Sequence, residues 1–391
     1  MKTYILTTTS PLLQAMQKAL ATAGTQPCVC LGLDLELHGA QGAAIIGGGT
    51  PLDLGKHSRT DWLALVRWLI SQNATVHVVE EACGFGWQFH RDLCAAGAQA
   101  VVSAPEALNG KRKTDKRDAR SLAALLFDRA VRGNRRALRA VRVPEMQAHR
   151  RRTEGRHRTQ MVEARNRLEA VGRGLMWDHD FHEVPEGWWG PRKWPKLSAT
   201  LTALGKEWLV EMLAPLQQTI LNLLRRIQQL DAVIATHAAQ MGLSVPAPKG
   251  LGDHTRVRLA AEAQDWRRFN NRKQVGSYLG MCPSEQSSGG RQRLGSIDRM
   301  GNRRMRTLLV EAVWRLHRWN HGWRGFAKFP HVFGAGAKVG GATKKKAVVA
   351  CARLLGVDLW RIETGRIKLE DVGLVAATEA NLQPTEAALM S

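Results

Sequence analysis

Four carboxylates stand where buried elements should begin or end. Asp34 closes the apolar run CVCLGLDLE (28–36), Glu81 closes TVHVVEEACG (75–84), and Asp115 and Asp118 lie in KRKTDKRDARSLAALL (111–126). Carboxylates are the ligands that Mg2+ or Mn2+ prefers, and such an ion polarises a phosphate. In a helix that starts at Thr114 or Asp115, residues 115, 118, 122, 125 and 126 share one face. Leu122, Leu125 and Leu126 must turn to a core, which sets both acids at the end of the buried stripe. Their place in the first turn favours the ionised form. The plainer reading makes them counter-charges among Lys and Arg, but a solvated counter-charge belongs on the opposite face. Acids at strand ends beside a buried helix face repel one another unless a cation neutralises them, so the spacing favours a metal site.

The elements that must position these acids can be read from periodicity. CVCLGLDLE is a short apolar run of central-strand type, and GAAIIGGGT and PLDLGKH continue it as a meander. RTDWLALVRWLISQ (59–72) has helical spacing, TVHVVEEACG is strand-like, WQFHRDLCAAG is helical, AQAVVSA is a fifth short strand, and a helix opens near Thr114. The order β-β-β-α-β-α-β-α predicts a mixed α/β domain of ribonuclease H-like type over 28–140. Residues 1–27 read as an extension with a weak helical stretch near 11–23.

Charge points to the partner. The 391-residue chain carries 57 Lys+Arg against 34 Asp+Glu, a net +23. Residues 111–158 hold 17 Lys+Arg against 5 Asp+Glu, so about half of the excess falls in one patch. Such a patch predicts binding to a polyanion, most simply nucleic acid. No segment has the apolar length of a membrane span or a signal peptide, which predicts a soluble, cytoplasmic protein and no membrane partner. Six scattered cysteines without a C-x-x-C pair read as free thiols. There is no G-x-x-x-x-G-K-[ST] loop and no H-E-x-x-H, which argues against ATP hydrolysis and zincin chemistry; HDFHEV is a weak metal candidate.

From 141 to 240 the chain is mostly helical: an Arg-rich helix, a break rich in Trp, Pro and Gly, then strong helical spacing. Two long helices with an interruption suit a coiled-coil arm for dimerisation or for spanning a nucleic acid, and equally a plain helical subdomain. Trp177, Trp188, Trp189 and Trp194 in the break are candidates for stacking on bases or for an ordinary core. A compact, mostly α region follows over 241–371, opened by a Gly-x-Gly turn of the kind whose backbone N–H groups can contact phosphate. Residues 372–391 read as a flexible tail. Candidate phosphate-gripping residues are Arg150, Arg151 and Arg152 in the first helix and Arg291, Arg293, Arg303 and Arg304 in the last region. Ser288, in SSGG, reads by itself as a turn residue, because no His or Lys beside it in sequence would activate its hydroxyl.

GLDLE, EACG, TDKRDA and YLGMCPSEQSSGGRQRLGSIDRMGNRRMRTLLVEAVW, in this order, resemble the insertion-sequence 110 family of transposases, particularly its 1111 subgroup. The resemblance implies a RuvC-like DEDD domain whose acids are Asp34, Glu81, Asp115 and Asp118. It also implies a coiled coil, and a C-terminal transposase domain in which Ser288, the serine before Gly289, is the nucleophile; Ser287 is the alternative. Mg2+ (or Mn2+), a phosphoserine intermediate, donor and target DNA, a structured noncoding bridge RNA and a homo-oligomer (dimer to tetramer) follow from the resemblance. So does a prokaryotic cytoplasm, with association to the nucleoid when the protein is bound to DNA. Cys83 and IDRMGN depart from the family's usual residues at side positions. Two rivals stand beside this expectation. One is a RuvC-like junction nuclease that uses metal-activated water; the other is a nucleic-acid-binding protein with vestigial acids.

Overall fold

A computed structural model describes residues 10–22, 24–104, 114–241, 247–285 and 294–377, and the chain divides into two compact units, residues 1–144 and 145–391. In the first unit β1 (Cys28–Leu35), β2 (Gly39–Ile46) and β3 (Leu52–Ser58) form an antiparallel meander. β4 (Thr75–Glu81) and β5 (Gln99–Ser103) extend the sheet parallel to β1, and β6 (Ala140–Val141) closes it antiparallel, giving the order β3-β2-β1-β4-β5-β6. The expected β-β-β-α-β-α-β-α order is observed from β1 to the helix Asp115–Ala130, with β6 as a sixth strand the expectation lacked, and this mixed sheet is consistent with a ribonuclease H-like core.

Period-two alternation divides the unit into two apolar layers. Val29, Leu31 and Leu33 of β1 and Val76 and Val78 of β4 pack with α1 (Pro11–Leu20), α2 (Arg59–Ser71) and α3 (Trp87–Ala95). Cys30 and Val79 point the other way, onto α4 (Asp115–Ala130). The leading segment is part of this core, since Leu12 and Met16 of α1 are buried in the first layer. Ser58 opens α2 with a reciprocal capping box to Asp61, and Trp62 donates its indole N–H to the Ala40 carbonyl at 3.1 Å.

The second unit begins with two long helices, α5 (Met146–Asp178) and, after the short α6 (Trp194–Ala203), α7 (Glu207–Gln240). They run antiparallel: Glu154 meets His237 at 2.6 Å and Arg158 pairs with Asp231, while Met176 clusters with Leu209 and Leu213. α7 buries Leu209, Leu213, Ile220, Ile227, Leu230 and Ile234 at heptad-like spacing, whereas the residues buried on α5 are Gly155, Gly172 and Met176. The pair is thus an antiparallel hairpin with its apolar seam on one side. Trp188 is fully buried against Gly172, and its indole N–H reaches the Glu169 carbonyl at 3.3 Å, so the core reading holds for this tryptophan. Trp177 remains half exposed.

The remainder is α8 (Asp253–Ala263), α9 (Arg272–Tyr278), the hairpin strands β7 (Pro283–Glu285) and β8 (Leu294–Ile297), α10 (Arg303–Trp319), the short α11 (Arg324–Ala327) and α12 (Pro330–Phe333), and α13 (Gly341–Glu363). Leu279, Met305, Leu309, Val313, Trp323 and Leu355 lie in their shared core. The glycine and asparagine of the DRMGN motif have structural work there. Gly301 packs backbone to backbone on Gly280, where any Cβ would lie 2.2 Å from the Gly280 nitrogen, and Asn302 caps α10 by accepting from the Met305 N–H at 3.0 Å. All six cysteines are free thiols, and burial pushes Cys30 and Cys351 up to about 12. Among the described residues no helix is long and apolar enough to cross a membrane.

Candidate active site and nucleic-acid surface

Sheet parity decides which acids share a face. Asp34 has the parity of Cys30 and Gly32 on β1, and Glu81 has that of Val79 on β4, so both belong to the layer covered by α4. Glu80 has the parity of Val78 and lies in the opposite layer, almost fully buried, 3.3 Å from Nδ1 of His90; burial raises its carboxyl above the usual range. The strand register pairs Leu33 with Glu80, which sets Asp34 and Glu81 at the same level of neighbouring parallel strands.

A single glycine sets the helix against them. A Cβ on Gly32 would lie 2.3 Å from the Ala119 carbonyl oxygen and 2.3 Å from the Ala123 nitrogen, so the backbone of α4 rests directly on β1. The direction of the helix follows from its other end, where the Phe127 ring meets Gly48 beyond β2, at the Val29 end of β1. The first turn of α4 therefore lies toward the Asp34 end of the strand. Asp118 is 7% exposed and its N–H returns to the Thr114 carbonyl at 3.0 Å. Asp115 is exposed at the helix start, so only one of the two acids lies within the buried stripe. Gly32→Ala should lower the urea midpoint by the equivalent of about 1–3 kcal/mol, because the clash is with backbone. An unchanged midpoint would contradict this close packing.

Asp53, on β3, was missed by the sequence reading. It receives Lys116 and, at 3.3 Å, Arg120, and it accepts from Gln41 at 3.1 Å, so it ties the basic start of α4 to the meander. Its signal was present as an acid inside the strand-like PLDLGKH. Thr114, Lys116, Arg117 and Arg120 line an open basic recess of about 580 Å³ at the same helix start. The donor set on this face, all carboxylate, suits a hard divalent cation in type. Among the described residues, however, no three of His, Cys, Asp or Glu are gathered closely enough to hold one.

In the second unit Ser288, Ser287, Arg291 and Arg293 lie outside the described residues, as do Lys111, Arg112 and Lys113 of the basic run in the first unit. The chain on either side of 286–293 is held as an antiparallel pair, with Glu285 opposite Leu294. Arg303 and Arg304 are exposed at the start of α10. Arg150 is exposed and pairs with Glu154 at 2.9 Å, while Arg151 is half-buried. Arg152 is different: its guanidinium donates to the Ala261 and Glu262 carbonyls, both at 2.9 Å, at the last turn of α8, and faces the Glu262 carboxylate at 3.5 Å. That is a helix-end anchor rather than a phosphate grip. Arg152→Ala should cost about 1–3 kcal/mol of stability in a denaturant melt, since two carbonyls and a carboxylate lose a partner. Arg150→Ala should melt like the wild type, and equal stability of the two variants would contradict the anchoring role.

Around Glu262 the positive charge is dense enough to perturb itself. Burial and the neighbouring Arg304 and Arg152 lower Arg156, and Arg258 is lowered by burial and by Arg158 and Arg304 despite Glu311 and Glu262. His254 beneath them falls to about 3, through burial and then Arg158, Arg258 and Arg315, and so remains neutral.

Residues 247–328 match the model of the Transposase IS116/IS110/IS902 family. The chain is 29% identical over 262 residues to a probable family 20 transposase of Pseudomonas aeruginosa, covering 64% of this chain and 74% of that protein. It is 31% identical over 250 residues to the putative transposase y4qE of Sinorhizobium fredii, covering 61% and 58%. It is 26% identical over 251 residues to the transposase for insertion sequence element IS1111A of Coxiella burnetii, covering 60% and 64%. By the family model and by the names of its relatives, the chain is similar to transposases of the IS110/IS116 family.

Proposed function

We propose that this chain is a DNA transposase of the IS110 type, subgroup 1111. It would cut and rejoin strands through a serine-linked intermediate at a DEDD carboxylate centre, guided by a structured RNA. The observation that supports the reading is that strand parity turns Asp34 and Glu81 to the sheet face covered by α4, whose first turn, with Asp118, is set toward the same end of β1 by the contact at Gly32. The similarity to named transposases supplies the substrate, DNA.

Asp34, Glu81, Asp115 and Asp118 would hold Mg2+ or Mn2+, the hard cations that an all-carboxylate donor set suits. The ion's chemistry is to offset charge on the scissile phosphate and to make a nearby hydroxyl more acidic. The chain's own part is nucleophilic. The Ser288 hydroxyl attacks phosphorus, the phosphodiester bond breaks, and the proton the serine gives up is balanced by the one taken by the displaced strand, which leaves as a hydroxyl. A strand hydroxyl then attacks the phosphoserine, restores a phosphodiester and frees the serine. Because each step exchanges one phosphate ester for another, rejoining needs no ATP, which agrees with the missing P-loop.

The basic surface supports nucleic-acid binding. Arg303 and Arg304 begin a helix, where the dipole already disfavours cations, and an anion there would relieve both. Leu204, Trp208 and Met212 are exposed apolar residues at one end of the helical hairpin and support association into a dimer or tetramer. Such a protein works where prokaryotic DNA is, in the cytoplasm on the nucleoid. The test is to supply DNA bearing the element's ends with the adjoining noncoding RNA. Joined product in Mg2+ and none in EDTA supports the reading. Free ends without joining would favour the water-using junction nuclease, and binding without any cleavage would favour a non-catalytic protein.

A further inference from the structure

The second unit carries a basic groove that the proposed chemistry does not use. It has a volume of about 610 Å³, and its walls hold Arg272, Lys273, Arg324, Lys328, Arg353 and Arg361, with no carboxylate among the lining residues. Its floor is apolar: Phe329, Leu354 and Val357. These residues come from α9, from the α11–α12 segment and from one face of α13. Asp358, fully buried behind the groove, pairs with Arg324 and lies 4.0 Å from Arg361, so one carboxylate answers two of the six cations. Gly276 leaves room for the Arg353 guanidinium, since a Cβ there would stand 3.0 Å from its Nε.

Cations arranged around an aromatic and aliphatic floor match a strand that alternates phosphates with flat bases. A duplex hides its base faces in its own stack and could use only the rim. An acidic peptide would satisfy the cations, but only a nucleic-acid strand sets a planar group beside every one of its charges to meet Phe329. Every polar side chain on the wall is a cation, so no side-chain acceptor is there to take the proton of a 2′-hydroxyl. We infer that this groove binds a segment of single-stranded DNA, with its phosphates on the Arg and Lys rim and a base on Phe329. The inference rests on the reading that the chain acts on DNA, but not on the carboxylate centre or on Ser288.

The test is fluorescence anisotropy of a labelled single-stranded DNA 12-mer on the full chain. Arg272, Lys273 and Lys328 are exposed, so their combined reversal to Glu should leave the melting curve unchanged. Affinity should fall by about tenfold or more, and the log–log salt slope by roughly 0.7 for each lost phosphate contact. Phe329→Leu keeps the apolar floor and should weaken binding about fivefold or more. Arg225→Glu with Arg226→Glu, exposed on α7, controls for net charge and should change affinity far less. The 12-mer carries no element end and is assayed without Mg2+, so a failure of this inference is read separately from a failure of the catalytic reading. A triple reversal no weaker than the α7 control would overturn the groove, and an unchanged Phe329→Leu affinity would overturn base stacking. An RNA 12-mer bound as tightly as DNA would overturn the assignment to DNA.

Discussion

Asp118→Asn should reduce strand joining by about a thousandfold or more while leaving the fold and the binding of nucleic acid intact. Losing about 4 kcal/mol of transition-state stabilisation corresponds to that factor. Asparagine keeps the shape of this nearly buried side chain, which is 7% exposed, so little packing is lost. Asp34→Asn and Glu81→Gln should behave alike, because both share the α4 face of the sheet. Asp115, exposed in the same first turn, is expected to matter for chemistry and hardly at all for stability. Glu80→Gln is the informative contrast. It lies in the opposite layer beside His90, so its loss should touch stability and spare the chemistry. The rate would be followed on DNA bearing the element's ends, with circular dichroism melts alongside. Near-wild-type joining by Asp118→Asn, or a dead but well-folded Glu80→Gln, would contradict the assignment.

The second large effect is expected at Ser288. Ser288→Ala should bind DNA and RNA as the wild type does, yet give no protein–DNA adduct and no joined product. No other residue of the block SSGGRQRLGSIDRMGN offers a better nucleophile than its serines, and Ser287 is the first alternative to check. The four acids belong to the first unit and Ser288 to the second by sequence, so the proposed reaction would draw on residues of both units. Mixing Ser288→Ala with Asp118→Asn asks whether two chains can share the work. Partial recovery of joining means that serine and acids can come from different subunits, whereas no recovery assigns them to one chain.

Much of the first unit was legible because its strands are continuous apolar runs punctuated by glycine. The period of two that the sheet imposes turns the neighbouring Glu80 and Glu81 to opposite layers. The exposure of Asp115 was not, since shared helical parity with Leu122 does not say where the core stops. The contact that holds α4 down, Gly32 on Ala119 and Ala123, exists only once a strand and a helix some 90 residues apart are packed together. Arg150, Arg151 and Arg152 show the same limit. Three consecutive residues span about 200° of a helix, so one of them had to face inward, but which one depends on where α8 ends. The basic groove draws on residues from Arg272 to Arg361 and leaves no local pattern. The glycine and asparagine of DRMGN were visible as a motif, while their packing and capping roles needed the fold.

The measurement closest to the central claim is a covalent trap. The wild-type chain would be incubated in Mg2+ with end-labelled DNA carrying the element's ends and with the adjoining noncoding RNA, then denatured, digested with protease and examined by mass spectrometry. The account predicts a labelled band that survives denaturation, with the nucleotide on Ser288 in the peptide spanning residues 286–293. Cleaved DNA with free ends and no protein attached, or a nucleotide carried by a residue other than Ser288, would contradict it.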